Sequence, residues 1–284
     1  MDSIASAVHY NYSKTDSAAQ HMKPLGGDWS PPACWYEPQY KPQDFEDYLL
    51  SMWREGSAST IWAEEYGADN YHKGDDGTWY GLVTDDNAPW QDFVSQCAGK
   101  EPFVFVGPAN PPPRTAPVID TKALAGLAYN GTTLPAPPLT LRPVGANQLV
   151  NLDTEVTFAQ PLDRVWVTAM YDNAEFGIHL AATTVATPDE LRVDAGTTNA
   201  DPSSCTYKLT PKGGGAYSVD TSNDPCNITY RKHGDYTLQA TLVWNVTWTP
   251  SANPDGPPQN PPFPQGQSTT PLQVTVKENQ TIVN

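Results

Sequence analysis

The chain predicts a mainly β protein, with an antiparallel β-sandwich in its C-terminal half and a small disulfide-closed unit before it. Three observations predict this. From Tyr236 to Trp248 apolar and polar residues alternate, with Tyr236, Leu238, Ala240, Leu242, Trp244, Val246 and Trp248 on one face. A period of two marks a half-buried strand. From Gln148 onward, short alternating segments recur between turn residues, as in an antiparallel sandwich, and no crossover helices for a parallel sheet are visible. The four cysteines, Cys34, Cys97, Cys205 and Cys226, divide two and two between the halves of the chain.

Taken in order, residues 1–33 are polar and read as an extended arm. Residues 34–104 read as a small aromatic-rich unit of α+β or irregular structure. Within it Phe45, Tyr48, Leu49, Met52 and Trp53 follow the i, i+3, i+4, i+7, i+8 spacing of an amphipathic helix. Pro42 suits its first turn, and Asp44, Glu46 and Asp47 complement the helix dipole there. Residues 105–145 read as a Pro-rich, semi-rigid connector carrying one short helix, TKALAGLAYN, capped by Asp120. Residues 146–284 form the predicted sandwich. Its longest strand, about 44 Å at about 3.4 Å per residue, leads into a Pro-rich hairpin loop, 250–268. Proline there predicts a stiff protrusion, because hairpin loops are ordinarily far shorter.

Composition narrows the function classes. The 284 residues carry a net charge of −16, which argues against nucleic acid and anionic lipid as partners, since both require basic patches. The acidity is uneven: residues 1–100 hold sixteen Asp/Glu against six Lys/Arg. No apolar run reaches the roughly 20 residues of a membrane span. No Cys-x-x-Cys pair supports zinc or thioredoxin-type chemistry. Sequence alone allows three disulfide connectivities; segregation into halves selects Cys34–Cys97 and Cys205–Cys226. Disulfides place the chain outside the cytosol, extracellular or at the cell surface. The amino terminus MDSIASAVHYNYSK lacks signal-peptide character, and removal of a signal is the favoured reading.

The segment ITYRKHGDYTLQATLVW resembles the closing strands of a PKD-type domain, an immunoglobulin-like sandwich of secreted and surface proteins. Ile228-Thr229-Tyr230 stands for that family's His-Thr-Tyr step, and Gly234-Asp235-Tyr236 for its Gly-x-Tyr turn. The upstream Trp-x-Phe-Gly-Asp-Gly turn corresponds to Val193-Asp194-Ala195-Gly196-Thr197, where valine replaces the tryptophan and the central aspartate is missing. The whole plan, with Trp35 to Pro38, the connector helix and Leu-Val-Asn-Leu-x-Thr at 149–154, is similar to uncharacterised secreted and envelope proteins of actinobacteria. That resemblance implies an extracellular module and supplies no catalytic residues.

Catalytic signatures are missing from the sequence. Glu55-Gly56-Ser57-Ala58-Ser59 lacks the second glycine of a nucleophile elbow, and no phosphate loop, dinucleotide fingerprint or His-Glu-x-x-His occurs. The expectation is a non-enzyme with no cofactor. His179, in GIHLAA, reads as a structural histidine. The acidic pairs Glu64-Glu65, Asp75-Asp76 and Asp85-Asp86 flank tryptophans; Asp75, Asp76, Asp85 and Asp86 form a weak calcium candidate without EF-hand alternation. Nine tryptophans are many for so small a hydrophobic share. Trp62, Trp79, Trp90, Trp244, Trp248 and Phe263 form the candidate binding surface, weighed against core filling. The leading functional reading is adhesion or assembly through protein–protein contacts with envelope or extracellular proteins, including self-assembly. Carbohydrate or wall-glycan binding through Trp and acidic residues is the alternative, and a secreted glycan hydrolase the third.

Overall fold

A computed structural model describes residues 8–13, 19–26, 29–54, 66–67, 70–86, 88–111, 113–143, 147–220 and 226–278. The protein is mainly β, with antiparallel sheets and two disulfides. It divides into two compact units that are not continuous in sequence. The first comprises Met1–Tyr10, Ser30–Leu127 and Ala169–Ala182; the second comprises Asn11–Trp29, Ala128–Thr168 and Thr183–Asn284. Among the described residues no helix is long and apolar enough to cross a membrane.

The first unit is built on a three-stranded antiparallel sheet, β1 (Cys34–Tyr40), β2 (Thr78–Thr84) and β3 (Phe103–Val106), with β2 in the middle. Register places Tyr36 opposite Leu82 and Tyr80 opposite Val104. Strand alternation therefore sends Cys34, Tyr36, Tyr80, Leu82 and Val104 to one face, and Trp79 and Phe103 to the other. Helix α1 (Pro42–Arg54) covers the second face. Phe45 and Leu49 are buried there, and the Phe45 ring stacks on Trp79 at 4.1 Å. Helix α2 (Trp90–Gln96), which the sequence reading leaves unassigned, covers the first face through Phe93 and the adjoining Cys97.

The predicted connector helix is α3 (Thr121–Asn130), and Asp120 Oδ1 accepts from the Ala123 N–H at 2.7 Å as a cap. It is core rather than spacer: Ala123, Leu124, Ala125, Leu127, Ala128 and Tyr129 are all buried. Apart from the exposed Lys122 and its terminal residues, the helix is apolar all round and buried. Gly126 is part of that fit, since a Cβ there would lie 2.8 Å from Pro32 Cδ.

Most described strands of the second unit fall in two sheets, beside the short pair Gln20–His21 with Thr133–Leu134. The smaller runs, in spatial order, Ala200–Asp201, β10 (Ile228–Tyr230), β5 (Asp153–Phe158) and β4 (Leu139–Arg142). The larger contains, within this unit, the part of β6 (Val165–Asn173) up to Thr168 and the part of β7 (Ile178–Asp194) from Thr183, with β8 (Ser204–Gly213), β9 (Ala216–Val219), β11 (Gly234–Thr249) and β12 (Gly266–Lys277). Strand β11 lies between β7 and β12, with Leu191 opposite Leu242 on one side and Leu238 opposite Leu272 on the other. Of the ladders with a described register, all are antiparallel apart from Asn147–Leu149, which runs parallel to β12; Tyr36 and Val118 of the first unit form a parallel bridge. The predicted polar arm is strand-forming: Val8–Tyr12 pairs with β6, Gln20–His21 with Thr133–Leu134, and Lys23–Pro24 with β12.

Both disulfides follow the segregation of the cysteines. Cys34–Cys97 has a Cα separation of 5.9 Å and Cys205–Cys226 of 5.5 Å. The second joins β8 to the segment entering β10, and so ties the two sheets together. Tyr230 of β10 also stacks on Tyr236 of β11, at 5.2 Å.

The alternation of β11 is realised as written, with Leu238, Ala240, Leu242, Trp244, Val246 and Trp248 buried. Val243, the one exception in the pattern, is buried on the opposite face. The loop from Pro250 folds back over the tryptophan end instead of protruding. Gln259 N–H donates to the Trp248 carbonyl at 2.9 Å, and Phe263 stacks on Trp248 at 6.0 Å. Phe263 also meets Trp29 and Tyr129, at 5.0 and 5.7 Å. Arg164 pairs with Asp255 at 2.6 Å and holds the loop tip.

Two predictions follow from this packing. Gly196 sits at φ +72° in the turn after β7, and a Cβ there would collide with the Thr237 carbonyl oxygen. Gly196→Ala should cost about 2–3 kcal/mol, read as a lower midpoint in urea unfolding. Burial pushes the Tyr207 and Tyr230 phenols up to about 12, above the ordinary value of 10.0. Their contribution to stability is then complete below about pH 10 and is lost as pH rises toward about 12. Tyrosinate absorbance followed alongside circular dichroism should show these phenols ionising late, together with unfolding; early ionisation in a folded protein would refute it.

Candidate functional site

The first unit carries the most exposed large apolar side chain described, Trp90, at 73% exposure, with Val94 at 45% one turn further along α2. Pro89 starts the helix with φ −56° and ψ 141°, and its carbonyl accepts from the Asp92 and Phe93 N–H groups. Residues i, i+3 and i+4 share a helix face. Phe93 turns inward among Cys34, Tyr36 and Cys97, and Trp90 stacks on it at 5.3 Å.

The far end of α2 is fixed three ways. Cys97 is bonded to Cys34; the Gln96 side chain accepts from Ala33 N–H at 3.0 Å; and it donates to Ser30 Oγ and the Pro31 carbonyl. A tryptophan held on so anchored a helix loses little freedom when a partner covers it. Covering it contributes on the order of 4 kcal/mol before the costs of association.

The other candidate positions lie elsewhere. Trp79 is 3% exposed and donates through Nε1 to the Tyr71 carbonyl. Trp244 is fully buried with Nε1 on Ser268 Oγ at 3.2 Å, and Trp248 and Phe263 cover one another. These four aromatics fill core, Trp79 under α1 and Trp248 under the proline loop, so they do not form the expected binding strip. Trp62 lies outside the described residues, as do Glu64 and Glu65. Asp75-Asp76 and Asp85-Asp86 flank opposite ends of β2, whose length alone is roughly 20 Å at strand rise. Among the described residues no three His, Cys, Asp or Glu side chains gather as a metal site.

His179 is likewise exposed rather than core. Its Nδ1 bonds Asp172 Oδ1 at 2.8 Å, and His9 Nε2 approaches the other oxygen at 3.5 Å. The alternation of GIHLAA places it on the outward face, where an imidazole keeps its hydration.

Beneath the surface, β1 carries a buried carboxylate. Glu37 is 1% exposed and accepts from Trp35 Nε1 at 2.6 Å. The neighbouring Tyr171 phenol is pushed up to about 12, by burial first and by the Glu37 charge in addition. Tyr171 and Asn173 both donate to the Pro38 carbonyl, at 3.4 and 3.0 Å. The Trp-Tyr-Glu-Pro stretch is therefore a polar joint inside the first unit, with no solvent access for chemistry.

No known protein family, curated protein or solved structure matches the chain.

Glu37→Ala should leave the Trp35 N–H without its acceptor and cost about 2 kcal/mol, whereas Glu37→Gln keeps an acceptor oxygen and should cost less than half of that. Chemical denaturation of the two variants checks the order, and equal losses would show the carboxylate to be incidental.

Proposed function

We propose that the protein is a non-enzymatic extracellular or cell-surface module that mediates adhesion or assembly through protein–protein contacts. The observation that carries this reading is Trp90, mostly exposed on a helix fixed by a disulfide and by the Gln96 hydrogen bonds. Tryptophan is the residue type most concentrated in binding hot spots, and a pre-ordered one yields the largest net gain on burial. Val94 extends the apolar surface beside it, and Asp92 lies in the same first turn as a polar border.

The second unit fits the role of a stable carrier. Its two antiparallel sheets, linked by Cys205–Cys226, are compatible with a PKD/Ig-like sandwich. Ile228-Thr229-Tyr230 forms a strand of the smaller sheet, and Gly234-Asp235-Tyr236 opens the long strand of the larger. Two disulfides agree with an extracellular setting. A flat, exposed indole also suits stacking on a sugar ring, which keeps wall-glycan binding as the second reading.

The test compares immobilised wild type with Trp90→Ser against solubilised envelope proteins of the source cell. Because Trp90 is a surface residue, the variant should melt within about 1 °C of wild type, in keeping with small surface effects. Retention of the bound proteins should fall at least about tenfold, as expected for a hot spot worth more than 1.4 kcal/mol. Undiminished retention would overturn the reading, while quenching of Trp90 fluorescence by wall glycans without protein capture would move the function to carbohydrate.

A further inference from the structure

A second feature of the first unit is a cavity of about 360 Å³ between the segment after α2 and the proline stretch that follows β3. Lys100 and Arg114 border it in a chain where acids outnumber bases two to one. Lys100 Nζ donates to the Thr115 carbonyl across the cavity. Arg114 is exposed, and among the described residues its guanidinium has no hydrogen-bond or ion-pair partner. Val104 and Pro113 supply apolar lining, and Glu101 is the one acid on the rim.

The walls are set before any ligand arrives. Cys97 is held by its disulfide, Lys100 N–H bonds the Cys97 carbonyl, and Tyr36 Oη donates to the Glu101 carbonyl at 2.9 Å. Leu82 N–H, on β2, bonds the Pro102 carbonyl at 2.8 Å. Such fixing lowers the ordering cost of binding.

Charge and size narrow the occupant. Lys100 and Arg114 against Glu101 leave a local balance of one positive charge, suited to a monoanion rather than a phosphate dianion. The protein's −16 further opposes a polyanion approaching from solution. A guanidinium fork matches a planar carboxylate in bidentate fashion. The cavity is at the small end of ligand sites, with room for about one residue and an apolar patch for its side chain. The geometry points to a pocket that receives the C-terminal carboxylate of a polypeptide ending in an apolar residue. This assignment rests on the protein-binding reading given above, and names a chemical feature of the partner.

The test titrates the full, oxidised chain with acetyl-Gly-Gly-Leu bearing a free carboxylate, and separately with its C-terminal amide. Saturable binding near 1 mM is expected, on the order of −4 kcal/mol, with amide resonances of residues 98–101, 114 and 115 shifting. The amide form should bind at least about tenfold more weakly, and so should the acid form with Arg114→Gln, as for loss of a charge-assisted pair. Equal binding of acid and amide, full affinity in Arg114→Gln, or no saturation would overturn the assignment. Preference for a galacturonate oligomer over the peptide would overturn it in favour of acidic sugar. The titration reports on the pocket alone and envelope capture by the Trp90 variant on the other surface alone, so each reading can fail without the other.

Discussion

Satisfaction of both hydrogen-bonding edges of β11 is the constraint on which the second unit depends. A buried strand of this length presents amide and carbonyl groups on each side, and every one left unpaired is costly. Thr183–Asp194 of β7 pair with Gln239–Thr249 along one edge and Gly266–Val276 of β12 with Gly234–Trp244 along the other, so the demand is met on both sides over Gln239–Trp244. Once these three strands are in register, the apolar side chains of β11 are committed to one face, because a slip of one residue would turn all of them outward. The smaller sheet, the Cys205–Cys226 bond and the Tyr230–Tyr236 stack then have a fixed surface to work against.

Aromatic residues do the corresponding work where aliphatic ones are scarce. In the first unit, Phe45, Trp79 and Phe103 pack within 4.1 to 5.1 Å between α1 and the sheet. In the second, Trp29, Tyr129, Trp248 and Phe263 close the end of β11. Large rings bury much area per residue with few rotatable bonds. A low-aliphatic composition can thus still produce a core, and most of the tryptophans described are used in this way. Trp90 departs from the pattern, which is why its exposure carries weight.

Much of the fold was legible in residue patterns. The period of β11, the spacing and acidic start of α1, the Asp120 cap and the two-and-two division of cysteines each correspond to an observed feature. What was not legible is what covers each face. Periodicity shows that Trp244 and Trp248 share an apolar side, but not that a loop folds over Trp248, since that depends on contacts such as Arg164 with Asp255, 91 positions apart. Helix α2 was missed because only seven residues carry it, too few for a periodic signal. Pro89 and the Trp90, Phe93, Val94 spacing were the cues present. His179 was misread because its strand is apolar on average, although its own position points outward. In the candidate site, Trp90 was among the aromatics singled out, whereas the approach of Arg114 to Lys100 follows from the path of a proline segment that has no period at all.

The pairing of Lys23–Pro24 with Gly266–Gln267, and the bond from Gln20 to the Thr269 carbonyl across 249 positions, bear on how the molecule comes into being. Contacts between such distant residues place the closure of the larger sheet late, after nearly the whole chain is available. During synthesis Gln20–His21 can pair with Thr133–Leu134, but Lys23–Pro24 have no partner until Gly266–Gln267 of β12 are made. Order of arrival, as much as strength of contact, therefore governs the yield of native protein. Shortening the chain beyond either of these paired segments would leave the other as an uncovered sheet edge, a template for strand-by-strand aggregation.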